Sequence, residues 1–508
     1  MKPAIVFIGF MGAGKSTALE AAREAGLETV EIDELMEREL GKPIRQAFEE
    51  DGEEAFRARE AEVVGSLLEQ ADGGAIALGG GSVLSERVRE ALNRHIVVYL
   101  EIDAAEAWRR IDGTERPLAT SEADVERLLA ERLPLYEELA DAVVPAYDLG
   151  VVARALPAIQ ALGEMPEGTK LLWASSASGD YPVIVGRGVL GTAWWPLGNR
   201  RFCVTDEHVG KLYSDRIGPI EAQIVIQPGE HSKHLDEVAR VLDAFTEAGM
   251  TRQDHVVALG GGVVGDLAGF CAHIYQRGVP VVQVPTSLVA QVDSAYGGKT
   301  GVDTDLAKNY AGAYHQPTAV LVDTTALETL PHEELASGFV EVLKTGLLAG
   351  GTLWERVRSI DVLEPSELAD VVFDCARYKC SIVAADERDS GLREVLNLGH
   401  TVGHAIEAAG SYSTYRHGEA VGVGLLAALR LSESLQLRDE VEAILERHGL
   451  PIAFEAEELD FVYEMLERDK KRTAAGVGFV LLSEPGKPRT GQLVDPAKVR
   501  AAVEELYR

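Results

Sequence analysis

With 508 residues, 46% of them hydrophobic and 26% charged, the sequence has a soluble globular composition but too much length for one core, which predicts two or three domains. A formal charge of −33 argues against a nucleic-acid partner, because phosphates select basic surfaces. No apolar run approaches the ~20 residues of a membrane span, so no membrane partner is expected.

The chain runs from Met1 directly into a strand and a motif, without the layout of a secretion signal, and a cytoplasmic location is expected. Cys203, Cys271, Cys375 and Cys380 are too few and too irregularly spaced for a disulfide framework or a cysteine zinc site, and are expected as reduced core residues.

Residues 4 to 8 form the continuous apolar run of a buried parallel strand. They lead into Gly9-Phe-Met-Gly12-Ala13-Gly14-Lys15-Ser16-Thr17, a complete Walker A sequence between strand and helix. Its glycines turn backbone N–H groups toward ATP phosphates, Lys15 reaches the outer phosphates, and Ser16 is placed to hold Mg2+. Gly12, Ala13, Gly14, Lys15, Ser16 and Thr17 are the expected ATP-binding residues.

Further along come Glu31-Ile-Asp33, then Arg57 early in a helical stretch, and Gly79-Gly80-Gly81 ending a third strand. Glu115-Arg116-Pro117-Leu118 lies in a polar segment suited to a lid, and Arg132-Leu-Pro-Leu-Tyr136 follows. As a set, spread over roughly residues 1 to 160, these motifs resemble shikimate kinase. The resemblance implies that Asp33 accepts hydrogen bonds from substrate hydroxyls and that Arg57 and Arg132 clamp its carboxylate, a task for which guanidinium forks are suited. Gly79, Gly80 and Gly81 would admit the ring, and Arg116 would neutralise charge on the transferring phosphoryl group. Glu31 stands where that family usually has Asp; it keeps the charge on a longer arm beside the magnesium.

Glu164-Met-Pro-Glu-Gly-Thr-Lys170 breaks the helical periodicity and reads as a linker, leaving residues 1–163 as the kinase-like domain. Beyond it, His255-Val-Val-Ala-Leu-Gly260-Gly261-Gly262-Val263-Val-Gly265-Asp266 reads as a strand opening through glycines into a helix that receives a pyrophosphate. A Rossmann unit would carry an acidic residue about 20 positions on; Pro285-Thr286 is there instead, which points to a different dinucleotide fold. Gly298-Lys299-Thr300 is no second Walker A, because Asp293 occupies the position of its first glycine.

Leu396-Asn397-Leu-Gly-His400-Thr-Val-Gly-His404-Ala-Ile-Glu407 places two histidines four apart on one helical face. Glu341, in the largely apolar Gly338-Phe-Val-Glu341-Val-Leu-Lys344, is a carboxylate that needs a partner. Imidazoles and a carboxylate with one open position form the catalytic zinc pattern. Together with His417-Gly-Glu419, these motifs resemble 3-dehydroquinate synthase, over nearly all of residues 175 to 485.

That resemblance implies Glu341, His400 and His417 as ligands of Zn2+ or Co2+, and turns His404 toward substrate phosphate rather than metal. It implies NAD binding by Asp206, Glu230, Lys233, Gly261, Gly262, Val263, Asp266, Thr286, Ser287, Asp293, Lys299 and Lys308. Around the cyclase substrate it places Arg277, Lys299, Asn309, Lys344, Lys379, Arg393, Asn397 and His404. Catalytic roles fall on Lys15 and Arg116 in the kinase and on Lys299, Arg393, Asn397 and His404 in the cyclase. Asp389 replaces an expected Glu.

The fold expected is α/β: a P-loop kinase domain fused to a two-part synthase, with an NAD-binding α/β subdomain at 171–325 and a helical metal-binding subdomain at 326–508. The implied activities are ATP-dependent phosphorylation of shikimate and cyclisation of 3-deoxy-D-arabino-heptulosonate 7-phosphate to 3-dehydroquinate. In the cyclisation NAD takes and returns a hydride, phosphate is eliminated, and the opened ring closes by an aldol step. The rival readings are another sugar-phosphate cyclase, a metal-dependent polyol dehydrogenase that would release NADH, and a degenerate regulatory half. A homodimer through the synthase half is expected.

Overall fold

The computed structural model describes residues 2–111, 121–148, 150–304, 307–410, 414–456, 459–468, 472–473 and 476–508. Arg116 and Asp469-Lys470-Lys471 lie outside the described residues. Two compact units divide the chain, the first comprising residues 1–174 and 181–184, the second residues 175–180 and 185–508.

In the first unit, β1 (Ile5–Ile8) is followed by helix α1 (Lys15–Glu24), β2 (Thr29–Glu31), α2 (Glu53–Gln70), β3 (Ala75–Ala77), β4 (Ile96–Glu101), α3 (Glu122–Leu139), β5 (Ala142–Pro145) and β6 (Lys170–Ser176). The strands pair in parallel in the order β2-β3-β1-β4-β5-β6. Each residue of β1 is buried, as a strand covered on both faces requires. Because the chain leaves β1 toward one side of the sheet and later returns to the other, a crevice opens beyond the carboxyl end of β1. Lys170, expected to close a linker, instead begins β6, and residues 171–174 belong to the first unit rather than to the nucleotide subdomain.

The second unit has β7 (Arg201–Asp206), β8 (Ala222–Ile226), β9 (His255–Gly260), α4 (Gly262–Ile274) and β10 (Val281–Pro285). An antiparallel hairpin, β11 (Lys299–Thr304) and β12 (Ala307–Tyr314), precedes β13 (Ala319–Asp323). The parallel order β13-β10-β9-β7-β8 makes β7 and β9 the switch point, so Asp206 and Gly260–Gly262 end up beside one another's strands.

The helical part contributes α5 (His332–Ala349), α6 (Ala369–Ala385), α7 (His400–Ala409) and α8 (His417–Leu431). Helix α5 is buried on nearly every face, the signature of a central helix rather than an amphipathic surface one. Helix α8 crosses it at Gly418, where a Cβ would collide with the Ser337 carbonyl, and Gly418 N donates to Ser337 Oγ at 3.0 Å. That close approach sets His417, the first residue of α8, over the middle of α5. No helix among the described residues is long and apolar enough to cross a membrane.

Candidate active sites

In the first unit the loop after β1 turns through Gly12 and Gly14 at φ 82° and 85°, left-handed values that glycine adopts freely. Lys15 Nζ donates to the carbonyls of Gly9 and Phe10 at 2.9 and 3.0 Å, so the lysine lies over the loop it serves. Ser16 Oγ donates to Glu31 Oε1, which places the Glu31 carboxylate beside the expected Mg2+ ligand. Arg110, which the sequence did not single out, donates to Gly12 O at 3.1 Å and Ala146 O at 2.6 Å and fixes the loop from outside.

Beside this loop a cavity of about 480 Å3 is lined by residues including Arg57, Glu60, Gly81 and Ser82. Arg57 Nη1 donates to Glu60 Oε2 at 2.6 Å, and Ser82 Oγ donates to Glu60 Oε1 at 2.8 Å. Glu60 is 3% exposed, so a buried carboxylate aims the guanidinium. Arg132 Nη1 and Tyr136 Oη both donate to Gly80 O, at 3.1 and 2.5 Å. Burial pushes the Tyr136 hydroxyl up to about 12, keeping it a donor. A Cβ on Gly79 would meet Glu60 Oε1 at 2.8 Å and Asp33 Oδ1 at 3.4 Å, and one on Gly81 would strike the Arg57 guanidinium. Asp33, Arg57, Arg132 and the three glycines therefore share one wall of the crevice.

In the second unit Asp206 ends β7 and caps the following helix, its Oδ1 accepting from His208 N and Val209 N at 2.8 and 2.9 Å. Gly261 and Gly262 open α4, and side chains there would press on Ser287 and Ser294. Val263 is part-buried in the first turn of α4. Lys233 Nζ lies 2.5 Å from Asp266 Oδ2 and 3.9 Å from Glu230 Oε1. Burial disfavours the Lys233 cation, but the carboxylates of Asp266 and Glu230 outweigh it and hold its pKa up. Thr286, at the end of β10, is buried beside this row.

Glu341, His400 and His417 lie together, with ligand-type atoms within 4.8 Å of one another. Glu341 on α5 is 1% exposed, and its Oε1 lies 3.6 Å from His400 Nε2 and 3.4 Å from His417 Nε2. Neither Glu341 oxygen has a partner in hydrogen-bond geometry, although Lys344 Nζ stands 2.5 Å from Oε2 as an ion pair. His400 Nδ1 faces Leu398 O at 3.2 Å and His417 Nδ1 faces Glu407 Oε2 at 3.4 Å, which leaves both Nε2 atoms turned toward Glu341. One carboxylate and two imidazoles with outward-bonded Nδ1 atoms fit a Zn2+- or Co2+-type centre with an open position. Burial and the Lys344 cation keep His400 neutral, well below its usual range. For His417 burial acts downward, but the Glu341 and Glu407 carboxylates prevail and raise it to about 10.

His404 is exposed, its ring 5.2 Å from that of His400 and 6.1 Å from that of His417. It falls in a second candidate ligand group with Glu407 and His417, not in the one containing Glu341. Around the centre, Asp293 sits in a turn of π-helix, its Oδ1 2.8 Å from Lys379 Nζ and 4.0 Å from Lys344 Nζ. Burial works against the Asp293 anion, yet Lys379 and Lys344 hold its pKa down, whereas burial outweighs Asp293 for Lys379 and lowers it. Arg393, 3% exposed, donates to Gly297 O and Glu387 O at 3.1 and 2.8 Å. Lys344, Lys379 and Arg393 thus outnumber Glu341 and Asp293 even before a divalent cation is added, an arrangement that receives a multiply charged anion.

Lys299 Nζ is paired with Asp389, Asn397 Nδ2 donates to Glu394 O at 3.1 Å, and Asn309, at φ 56°, donates its N–H to Asp303 at 2.7 Å. Arg277 stands apart, exposed at φ 73° in the turn after α4, and among the described residues makes no ion pair with this cluster. Lys308 Nζ, from the β11–β12 hairpin, lies 3.5 Å from Glu230 Oε1 and 3.7 Å from Glu407 Oε1.

Fold and sites together define a P-loop phosphotransferase joined to a dinucleotide- and metal-using cyclase. Residues 11–158 match the shikimate kinase family model, and residues 223–337 and 338–472 match those of the 3-dehydroquinate synthase N-terminal and C-terminal parts. The 3-dehydroquinate synthase of Halorhodospira halophila (strain DSM 244 / SL1) is 41% identical over 350 residues, 66% of this chain and 99% of that one. That of Alkaliphilus metalliredigens (strain QYMF) is 37% identical over 326 residues, 61% of this chain and 92% of its own. Among solved structures, the 2-epi-5-epi-valiolone synthase of Streptomyces hygroscopicus subsp. jinggangensis 5008, with NAD+ and Zn2+ bound, superposes with a TM-score of 0.57. It shares 25% identity over 64% of this chain and 96% of that one. The chain belongs to the 3-dehydroquinate synthase family and carries a shikimate kinase domain ahead of it, as a bifunctional enzyme of the shikimate pathway.

Proposed function

We propose that the two sites act as follows. In the kinase crevice Lys15 leaves the Gly9 and Phe10 carbonyls for the outer phosphates of ATP, and Ser16 with Glu31 holds Mg2+. Arg57, aimed by Glu60, and Arg132 clamp the shikimate carboxylate, while Asp33 accepts from the ring hydroxyl that becomes phosphorylated. Arg116 completes the charge neutralisation.

In the second unit Glu341, His400 and His417 hold Zn2+ or Co2+, and Asp206, Glu230, Lys233, Gly261, Gly262, Val263, Asp266, Thr286, Ser287 and Lys308 hold NAD+. When bound, NAD+ supplies hydride acceptance and return, and the metal supplies Lewis acidity at the substrate oxygen. Lys344, Lys379 and Arg393 bind the anionic ends of the seven-carbon acid phosphate. Asn309, Asn397 and His404 orient the phosphate for departure, Arg277 reaches it only by leaving the exposed turn where it stands, Lys299 leaves Asp389 for the substrate, and Asp293 fixes Lys379 beside the nicotinamide.

The observation that carries this reading is the Glu341 carboxylate, buried, facing two Nε2 atoms with Lys344 beside it, in a unit that also buries Lys379 and Arg393 close to one another. A polyol dehydrogenase, with a neutral substrate, has no use for those cations. A division of the synthase half into nucleotide and helical parts at residues 325 and 326, a cytoplasmic location and a homodimer through that half complete the proposal; the described cysteines are all free and buried, as a reducing compartment allows. The test is formation of 3-dehydroquinate by purified protein with NAD+: chelation should abolish it, Zn2+ should restore it, and ATP-dependent phosphorylation of shikimate should persist with Mg2+ alone. Cyclisation unaffected by chelation would refute the metal assignment.

A further inference from the structure

The two imidazoles at the centre are anchored differently from behind. His400 Nδ1 rests on a backbone carbonyl, that of Leu398, whereas His417 Nδ1 rests on the Glu407 carboxylate, 3.4 Å from Oε2. Glu407 lies on α7 seven residues after His400, two helical turns along the same face, and is only 4% exposed. A carboxylate so buried needs compensation. It has two sources of it here, His417 on one oxygen and Lys308 Nζ at 3.7 Å from the other. Lys308 in turn lies 3.5 Å from Glu230, so the chain Glu230, Lys308, Glu407, His417 runs through the hairpin to the metal-ligand cluster.

We propose that Glu407 is the positioning residue of the metal centre: it accepts the Nδ1 proton of His417, fixes the ring with Nε2 toward Glu341, and is itself held by Lys308. A carboxylate behind a ligating imidazole fixes its tautomer and raises its basicity. The competing assignment is that Glu407 ligates directly, together with His404 and His417, as the second ligand-type group would allow. Geometry favours the indirect role, because the His417 nitrogen facing Glu407 is Nδ1, whereas the one facing Glu341 is Nε2. This inference rests on the ligand set proposed above.

The experiment measures Zn2+ affinity of the full-length protein, freed of metal, by competition with a chromophoric chelator, alongside the visible absorption of the Co2+-loaded protein. Glu407→Ala is expected to weaken Zn2+ binding about 10- to 100-fold, and Glu407→Gln, which keeps an acceptor and the shape, by less than about 10-fold. In a His417→Ala background, Glu407→Ala should cause no further loss, since its effect passes through that ring. Zn2+ affinity within about twofold of the parent in Glu407→Ala, or a second full loss in the His417→Ala background, would overturn the positioning role. Glu341→Gln separates the two claims. If it leaves Zn2+ binding intact, the ligand set itself is wrong; if it abolishes binding while Glu407→Ala does not weaken it, the set stands and only the positioning role falls.

Discussion

Glu341 and Lys344 are one helical turn apart on α5, 1% and 2% exposed, with Nζ 2.5 Å from Oε2. Each is the nearest compensation for the other's buried charge, with Asp293 4.0 Å from Lys344 and His417 3.4 Å from Glu341 as weaker help. Glu341→Gln is therefore expected to abolish metal binding and also to destabilise the metal-free protein by about 3 kcal/mol, because Lys344 is left buried with only the more distant Asp293 carboxylate. Glu341→Gln with Lys344→Met should regain most of the stability and none of the metal binding. Denaturant unfolding of metal-free samples decides it: a single variant as stable as the parent would show that the pair is not buried in solution.

The placement of His417 depends on a crossing of helices that only glycine permits. A Cβ at Gly418 collides with the Ser337 carbonyl, a backbone atom that cannot swing away. Gly418→Ala should push the start of α8 off α5 and separate His417 from Glu341. The expected result is loss of cyclase activity with a destabilisation of about 1–3 kcal/mol, while Gly391→Ala, where nothing lies within 4 Å, retains activity. A Gly418→Ala protein that binds Zn2+ normally would contradict this packing argument.

In the first unit Glu60 acts through Arg57. Glu60→Gln removes the charge behind the guanidinium but keeps the acceptor for Ser82. The KM for shikimate should rise about 10-fold with kcat less affected, the pattern of weakened substrate binding. An unchanged KM would mean that Arg57 is held by the substrate alone.

His255 supplies a pH dependence of stability. It is buried, with Nε2 accepting from Trp195 Nε1 at 3.0 Å and Nδ1 donating to Asn199, so its neutral form fills both bonds. Burial first, then the Arg201 cation, depress its pKa to about 4, against a smaller opposing pull from Asp254. Since the folded value lies below the unfolded one, the contribution is full above pH 6.5 and is lost as pH falls toward 4. The size is on the order of 2 kcal/mol. His255→Gln should flatten that part of the melting-temperature profile relative to the parent; identical slopes would place the titration elsewhere.

Features written contiguously were legible in the sequence. The Walker A loop after β1, the glycine turn after β9 and the His400/His404 spacing each declare a local geometry, and the structure builds that geometry. Residues whose meaning lies in a distant partner were not legible: Arg110 reaches Gly12 across 98 positions, and Glu60 reaches Ser82 across 22. Glu407 could have been found, because it continues the His400/His404 face of α7, but no spacing announces that its partners are His417 and Lys308. Lys170 read as a linker's end because it follows Pro166 and Gly168 closely, and nothing local shows that the strand it opens pairs with β5.

The most direct measurement follows phosphate release and absorbance of NADH together, with purified protein, 3-deoxy-D-arabino-heptulosonate 7-phosphate, NAD+ and Zn2+. Phosphate should accumulate with no net NADH, and His400→Ala should abolish the release. NADH accumulating without phosphate would contradict the cyclase account and identify a dehydrogenase.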